Sequence, residues 1–470
     1  MGKRLGIICF AALLACGPVL AAASPYYTPP EWGTPAQTID LPYDTGRTPA
    51  ENGAALKAAV LALTAGQRLV VHGGDYYIGS YFGPTLNGAD GAPIVIEASG
   101  SEVVEISSDV NHNILDLNGA YVILHGLSFT AGSIGIRLHS CHHVWLDQCR
   151  IHDTPEAALT ANTYDTNNLY ITDNEIYNTA GTGEGMYLGA NYGAVIMHSS
   201  IVAGNHIYNT GGDQGDGIEL KQGSWGNTIA GNLVHDCNYP CILVYGTDGQ
   251  PPNVVEGNVC YNSNDNVMQV QGEAIVRNNL AVNGAGSAFH THDHQGQTVN
   301  LQVINNTLVN SGRCTNLTSW SDRAGMVFAN NACYSAFAEA IRFPNGSAGV
   351  TVTGNVVVGS VTGVASGFVT GSSPDSDFQG LSYDASMRDA RPSEDSSLIG
   401  AADPAYLPLT DLTGAPRNTN QRVAGAYDVP ATPPQEPMPM ANIWGLCILA
   451  MTLLSVGRAS KSRRLPKNNT

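Results

Sequence analysis

Charge is scarce in this chain of 470 residues, and positive charge most of all. Asp, Glu, Lys and Arg make up 13% of it, and 21 Lys and Arg stand against 39 Asp and Glu, a formal net charge of −18. Too few cations remain to neutralise a phosphate backbone, so no nucleic-acid partner is expected. A polyanion of another kind is not excluded, because a local patch can differ in sign from the whole. The ten cysteines show no CxxC…CxxC spacing, which argues against a zinc ribbon. Cys9 and Cys16 lie near the start and Cys447 near the end, leaving an odd number in the body; of these, Cys237 and Cys241 are close enough for a local bridge.

Glycine, by contrast, is plentiful at 53, asparagine is common, and the hydrophobic share of 43% is enough for a sizeable core. Turn formers with few long charged side chains point to β structure with tight turns. The length exceeds what one ordinary core holds, but a solenoid escapes that limit because each coil packs only on its neighbours.

One pattern recurs at intervals of about 25 residues: Asn, any residue, an apolar residue, any residue, then Asn or Asp. It starts at Asn174, Asn205, Asn232, Asn258, Asn279, Asn306, Asn331 and Asn355. Its third position reads Ile176, Ile207, Val234, Cys260, Ala281, Leu308, Cys333 and Val357, so Cys260 and Cys333 read as core residues. Its fifth position, Asn178, Asn209, Asp236, Asn262 and Asn283, suits a left-handed turn residue. Stacked Asn amides can bond along the axis. The expected fold is all-β, a right-handed single-stranded parallel β-helix, with Ala54 to Leu63 as an N-terminal capping helix over the open core.

A second strand recurs out of phase, through Ile136, Leu159, Met186, Ile218, Ile242, Met268 and Phe289, with an apolar partner two residues on. Alternation sends those inward and the residues between them outward. The outer stripe reads Arg137 and His139, Thr160 and Asn162, Tyr187 and Gly189, Glu219 and Lys221, Leu243 and Tyr245, Gln269 and Gln271, His290 and His292. One such pair per coil, about 4.8 Å apart, makes a ladder of ring faces and hydrogen-bonding groups that suits a polysaccharide. Arg137, His139, Gln269, Gln271, His290 and His292 are its candidate substrate contacts. The same stripe also satisfies a plainly solvated polar face.

The densest cluster is Asp213-Gln214-Gly215-Asp216-Gly217-Ile218-Glu219-Leu220-Lys221. Glu219 and Lys221 project together. Stacking sets Glu184, one coil earlier, about one strand spacing from Asp216. Neighbouring carboxylates share a proton or bind a cation, so Glu184, Asp213 and Asp216 are candidate metal ligands; a turn acid capping backbone amides has the same appearance.

The ends read as addresses. Lys3 and Arg4, an apolar run from Leu5 to Ala15 too short to span a bilayer, and Ala21 and Ala23 before Ser24 form a signal peptide over residues 1–23. Leu13-Leu14-Ala15-Cys16 offers a lipoprotein alternative. Residues 24–371 are the expected coil body with its cap, 372–430 a closing segment, 431–441 a Pro-rich linker, and 442–470 a membrane-spanning tail. Pro439, Trp444 and Gly445, an apolar run, then Arg458, Lys461, Arg463 and Arg464 resemble an exosortase-type sorting tail. These features imply a monomer handled by export and sorting machinery, with its body periplasmic, at the cell surface or secreted.

The segment Ala54 to Ala98 resembles the N-terminal region of chondroitinase-B-like polysaccharide lyases. The matching stretches are Leu56-Lys57-Ala58-Ala59, Gly66-Gln67-Arg68-Leu69-Val70-Val71, Gly74-Asp75-Tyr76-Tyr77 and Gly91-Ala92-Pro93-Ile94-Val95-Ile96. The resemblance implies β-elimination on an acidic polysaccharide, with Lys221 as base and Asp216 and Glu219 near a Ca²⁺ ion. The family pairs its Lys with an Arg on a neighbouring coil. Here Tyr187 and Tyr245 flank Lys221, so a tyrosine or a histidine must supply the second proton transfer. Two other readings remain: a glycoside hydrolase using Glu184, Asp216 or Asp213, and a non-catalytic surface or matrix protein that binds polysaccharide.

Overall fold

Buried amides hold the coils in register. In the computed structural model, which describes residues 24–429, the asparagines from Asn174 to Asn355 form a continuous internal ladder. The Oδ1 of Asn205 accepts from both the backbone N and Nδ2 of Asn174, at 3.1 and 2.9 Å. The same pair of bonds repeats up the column, and each Nδ2 also reaches a carbonyl of the coil before. Every side chain of the column thus satisfies both its oxygen and its nitrogen, which is what allows polar groups to sit fully inside. A shorter column of the same kind, Ser200–Asn227–Asn253, supports a second corner.

Beside the Asn column runs a ladder of 13 parallel strands, in which Ile176, Ile207, Val234, Cys260, Ala281, Leu308, Cys333 and Val357 stand in register and point inward. The second predicted column is equally regular: Met186 pairs with Ile218, Ile218 with Ile242, Ile242 with Met268, Met268 with Phe289. A third series, through Ile201, Thr228 and Val254, completes each coil. Parallel strands wound in this sense give a right-handed parallel β-helix. The outer corner residues Asn178, Asn209, Asp236, Asn262 and Asn283 all have φ between 53° and 63°, the left-handed region their side chains tolerate best.

The capping helix spans Pro49–Leu61, beginning earlier than expected. Thr48 accepts from the Glu51 backbone while Glu51 bonds back to Thr48, and Pro49 occupies the first helical position, so the capping box sets the start. Leu56 and Val60 enter the core of the first coils. Gly53 is required there: a Cβ would strike the Tyr77 carbonyl.

The last strand of the coil is Phe368–Thr370. The segment after it lies along the flank of the 13-strand ladder, where Phe378, Leu381, Leu398, Val423 and Ala426 cover the outward faces of Leu280, Val309, Tyr334 and Val356. Its buried Arg417 donates to Asn278 Oδ1 and to the Gly425 and Ala426 carbonyls.

The seven cysteines of the body are all buried and unbridged. The expected Cys237–Cys241 bridge is not formed; both side chains lie in the core as small apolar groups. The signal peptide and the sorting tail lie outside the described residues. Among the described residues, no helix is long and apolar enough to cross a membrane.

Candidate functional site

Ile218 and Leu220 face inward with no exposed surface, so Glu219 between them must face out, and Lys221 follows it two residues on. Pairing places Tyr187 beside Glu219 on one side and Leu243 on the other. The Lys221 ammonium bonds Glu219 Oε1, and both side chains are only 4% exposed. It lies 4.4 Å from the centre of the Tyr187 ring and 5.4 Å from that of Tyr245, an ammonium held between two π faces.

The outer stripe therefore differs from a solvated face. Glu219, Lys221, Tyr245 and Gln271 point away from the core, yet all are buried. Part of the cover is a bridge between two loops far apart in sequence. Tyr192 N donates to Gln295 Oε1 at 2.8 Å, and Gln295 Nε2 donates to Asn191 Oδ1 at 3.1 Å. The His294 ring sits 5.6 Å from the Tyr245 ring. Under this bridge lies a cleft of about 290 Å³ lined by Asp216, Glu219, Lys221, Tyr245 and Gln214. A second cleft, of about 440 Å³, adjoins it at Gln214 and is lined by Arg137, Thr160, Asn162, Glu184 and Tyr187.

Glu184 and Asp216 stack as expected on neighbouring coils, where Gly185 N donates to the Asp216 carbonyl at 2.8 Å. Three carboxyl oxygens of the cluster, Glu184 Oε2, Asp216 Oδ1 and Glu219 Oε2, are buried without a partner. Burial, reinforced by the charges of Glu219 and Glu184, pushes the Asp216 carboxyl well above the usual carboxylate range. Burial also raises Glu219, against the pull of Lys221. The phenols of Tyr187 and Tyr245 are raised by burial as well and keep their protons at neutral pH. The site thus holds a carboxyl raised by burial, the Glu219–Lys221 ion pair and two phenol donors, a set equipped for proton transfer.

The remaining candidates lie elsewhere on the stripe. Arg137 Nε donates to Thr160 Oγ1 at 3.4 Å, at the edge of the second cleft. His139 pairs with Asp116 at 3.1 Å. Gln269 Oε1 accepts from Asn266 at 3.2 Å. Gln271 is buried with both ends of its amide unpaired. His290 Nε2 and His292 Nδ1 are 3.0 Å apart, on the strand and turn that lead into Gln295 of the bridge. Asp213 is exposed on the preceding turn.

The expected Ca²⁺ site does not fit these residues. Among the described residues no three or more His, Cys, Asp or Glu converge as a metal site. Ca²⁺ takes roughly six to eight oxygen ligands, whereas Asp213 faces solvent, apart from Glu184 and Asp216.

Two family descriptions match parts of the chain: "Right handed beta helix region" over residues 85–250, and "Periplasmic copper-binding protein (NosD)" over residues 168–367. No curated protein matches it. Among solved structures, a pectate lyase (Pel9A) is 16% identical, covering 84% of this chain and 97% of its own, with a TM-score of 0.46. A PL6 family alginate lyase (AlyGC) is 16% identical, covering 84% of this chain and 58% of its own, with a TM-score of 0.47. A xylose complex of XylC is 12% identical, covering 69% of this chain and 84% of its own, with a TM-score of 0.43.

The sequence reading did not include Asn191, Tyr192, Gln214 and Gln295 among the site residues. One signal was present: the repeat from Asn174 to Asn205 is the longest of the series, and its extra length is the Asn191–Gly193 turn that forms half of the bridge.

Proposed function

We propose that this chain is an exported carbohydrate-active β-helix that cleaves an acidic polysaccharide by β-elimination. The observation that carries the reading is Lys221, fixed by Glu219 between the Tyr187 and Tyr245 rings at the floor of a cleft with unpaired acid oxygens. The ion pair and the two ring faces fix Lys221 in place, so the Glu219–Lys221 pair acts as a unit. Its carboxylate, made more basic by burial, takes the proton beside the uronate carboxylate. Its ammonium neutralises the enolate that develops. Tyr187 or Tyr245, kept protonated, supplies the proton for the departing glycosidic oxygen. Arg137 and the second cleft contact the adjoining sugars.

Hydrolysis is the second reading, and Asp216 favours it. A carboxyl raised by burial beside Glu184 and Glu219 has the pairing of general acid and carboxylate that inverting and retaining hydrolases use.

Export rests on residues 1–23, and anchoring or sorting on 442–470, with 24–371 as the coil body, 372–430 as the closing segment and 431–441 as linker. The test mixes residues 24–429 with a panel of acidic polysaccharides, with and without Ca²⁺, and follows ultraviolet absorbance of unsaturated uronate. Elimination predicts a rise that is lost in Lys221→Met. New reducing ends without that absorbance, lost in Asp216→Asn, would replace elimination by hydrolysis. Binding with no product in any mixture would make the chain a polysaccharide-binding protein.

A further inference from the structure

We propose that the site takes the end of a sugar chain rather than its middle. This rests on reading the cleft as a polysaccharide site.

The outer stripe, continuous in the sequence, is interrupted in space. Toward the earlier coils it stays open: the Lys221 cleft adjoins the Arg137–Thr160–Tyr187 cleft, with Gln214 on the rim of both. Toward the later coils it stops. The bridge crosses there, with Gln295 bonded to Asn191 and to the backbone of Tyr192, and His294 standing over Tyr245. Behind it the His292 ring is 5.5 Å from His294. Gln269, His290 and His292, which continue the stripe, line neither cleft.

Unpaired acid oxygens mark both clefts. Asp216 and Glu219 line the cleft under the bridge and Glu184 the adjoining one, and Asp216 Oδ1, Glu219 Oε2 and Glu184 Oε2 are buried and unpaired. Groups of this kind cost about 1–3 kcal/mol each when left without a partner, and a ligand hydroxyl would relieve them. The cleft under the bridge, at about 290 Å³, lies at the lower limit of small-molecule pockets, which start near ~300 Å³. That is room for a terminal unit, while the adjoining cleft of about 440 Å³ takes the units that follow it. A chain passing straight through would have to occupy the space of the bridge.

The test counts binding sites. Polygalacturonate and alginate are each offered intact and as the same mass broken by acid into short oligomers, and protein bound at saturation is measured by sedimentation. Chain-end recognition predicts that capacity per mass rises by the same factor as the number of ends. It also predicts that any product is of one small size from the start. Capacity unchanged by fragmentation, with a ladder of intermediate products, would overturn the proposal and leave the polysaccharide reading standing. No binding and no product with either form would overturn both. In the Asn191→Gly/Gln295→Gly variant, capacity for the intact polymers should increase; an unchanged capacity shows that the bridge is not the block.

Discussion

Glu219 and Lys221 leave one strand two residues apart and meet as an ion pair that has lost nearly all contact with water. In that setting neither charge is tolerable alone. Replacing one partner strands the other, at a cost of about 3–5 kcal/mol, whereas replacing both by apolar or neutral groups of similar volume is close to neutral. Lys221→Met should therefore lower the urea midpoint strongly, and Glu219→Gln/Lys221→Met should recover most of the loss. Additive effects of the two single changes would mean that the pair is not formed.

Asp216 sets a pH dependence of known sign. Its carboxyl is raised in the folded state, so its contribution to stability is fully present below the ordinary Asp value and is lost as pH rises above it. Asp216→Asn removes that loss. The variant should melt higher than the parent at pH 8, with the gap closing near pH 4. A gap that does not change with pH would contradict the assigned direction.

The Asn column offers a test within the fold. Asn232 Oδ1 accepts from Asn205 N and Nδ2 at 3.0 and 2.9 Å, and its own Nδ2 donates to Val202 O and Asn258 Oδ1, both at 2.9 Å. Asn232→Ala should cost about 3 kcal/mol or more in denaturant melts, because several buried groups lose partners at once. Asn209→Gly, at the exposed left-handed corner where one 3.3 Å bond is lost, should change stability by less than ~1 kcal/mol.

His290 should stay neutral far below the usual histidine range. Its pKa is pushed down to about 4 by burial first, then by His292 and Arg313. Arg342 Nη1 donates to Asn316 Oδ1 at 2.6 Å, which turns the Asn316 amide nitrogen toward His290 Nδ1 at 3.1 Å. His290 Nδ1 therefore accepts, and its Nε2 donates to His292. A histidine lowered in this way keeps its stabilising contribution above about 6.5 and loses it as pH falls toward its folded value. Nitrogen NMR of the ring should show protonation at Nε2 and a midpoint near pH 4. Asn316→Asp, which replaces the donor by an acceptor, should raise that midpoint and move the ring proton to Nδ1.

The sequence by itself determined the coil. Asn174, Ile176 and Asn178 recur with their counterparts because a solenoid gives each repeat the same surroundings: one position inside and amide-paired, one in the core, one at a left-handed corner. The pairing of Glu219 with Lys221 and the stacking of Glu184 on Asp216 were legible for the same reason, since period two along a strand and one repeat between strands fix both. The capping helix was legible in kind, and its start was set by Thr48 and Glu51. Periodicity says which way a side chain points, not what lies over it. Whether the stripe is open was decided by Asn191, Tyr192 and Gln295, residues 103 and 104 positions apart that meet only when the coils stack. Asp213, three residues before Asp216, looked like its partner in the chain and is exposed in the fold. Burial, and with it the raised Asp216 carboxyl and the unpaired state of the acids, comes from non-repeating loops, whose positions depend on the tertiary structure alone.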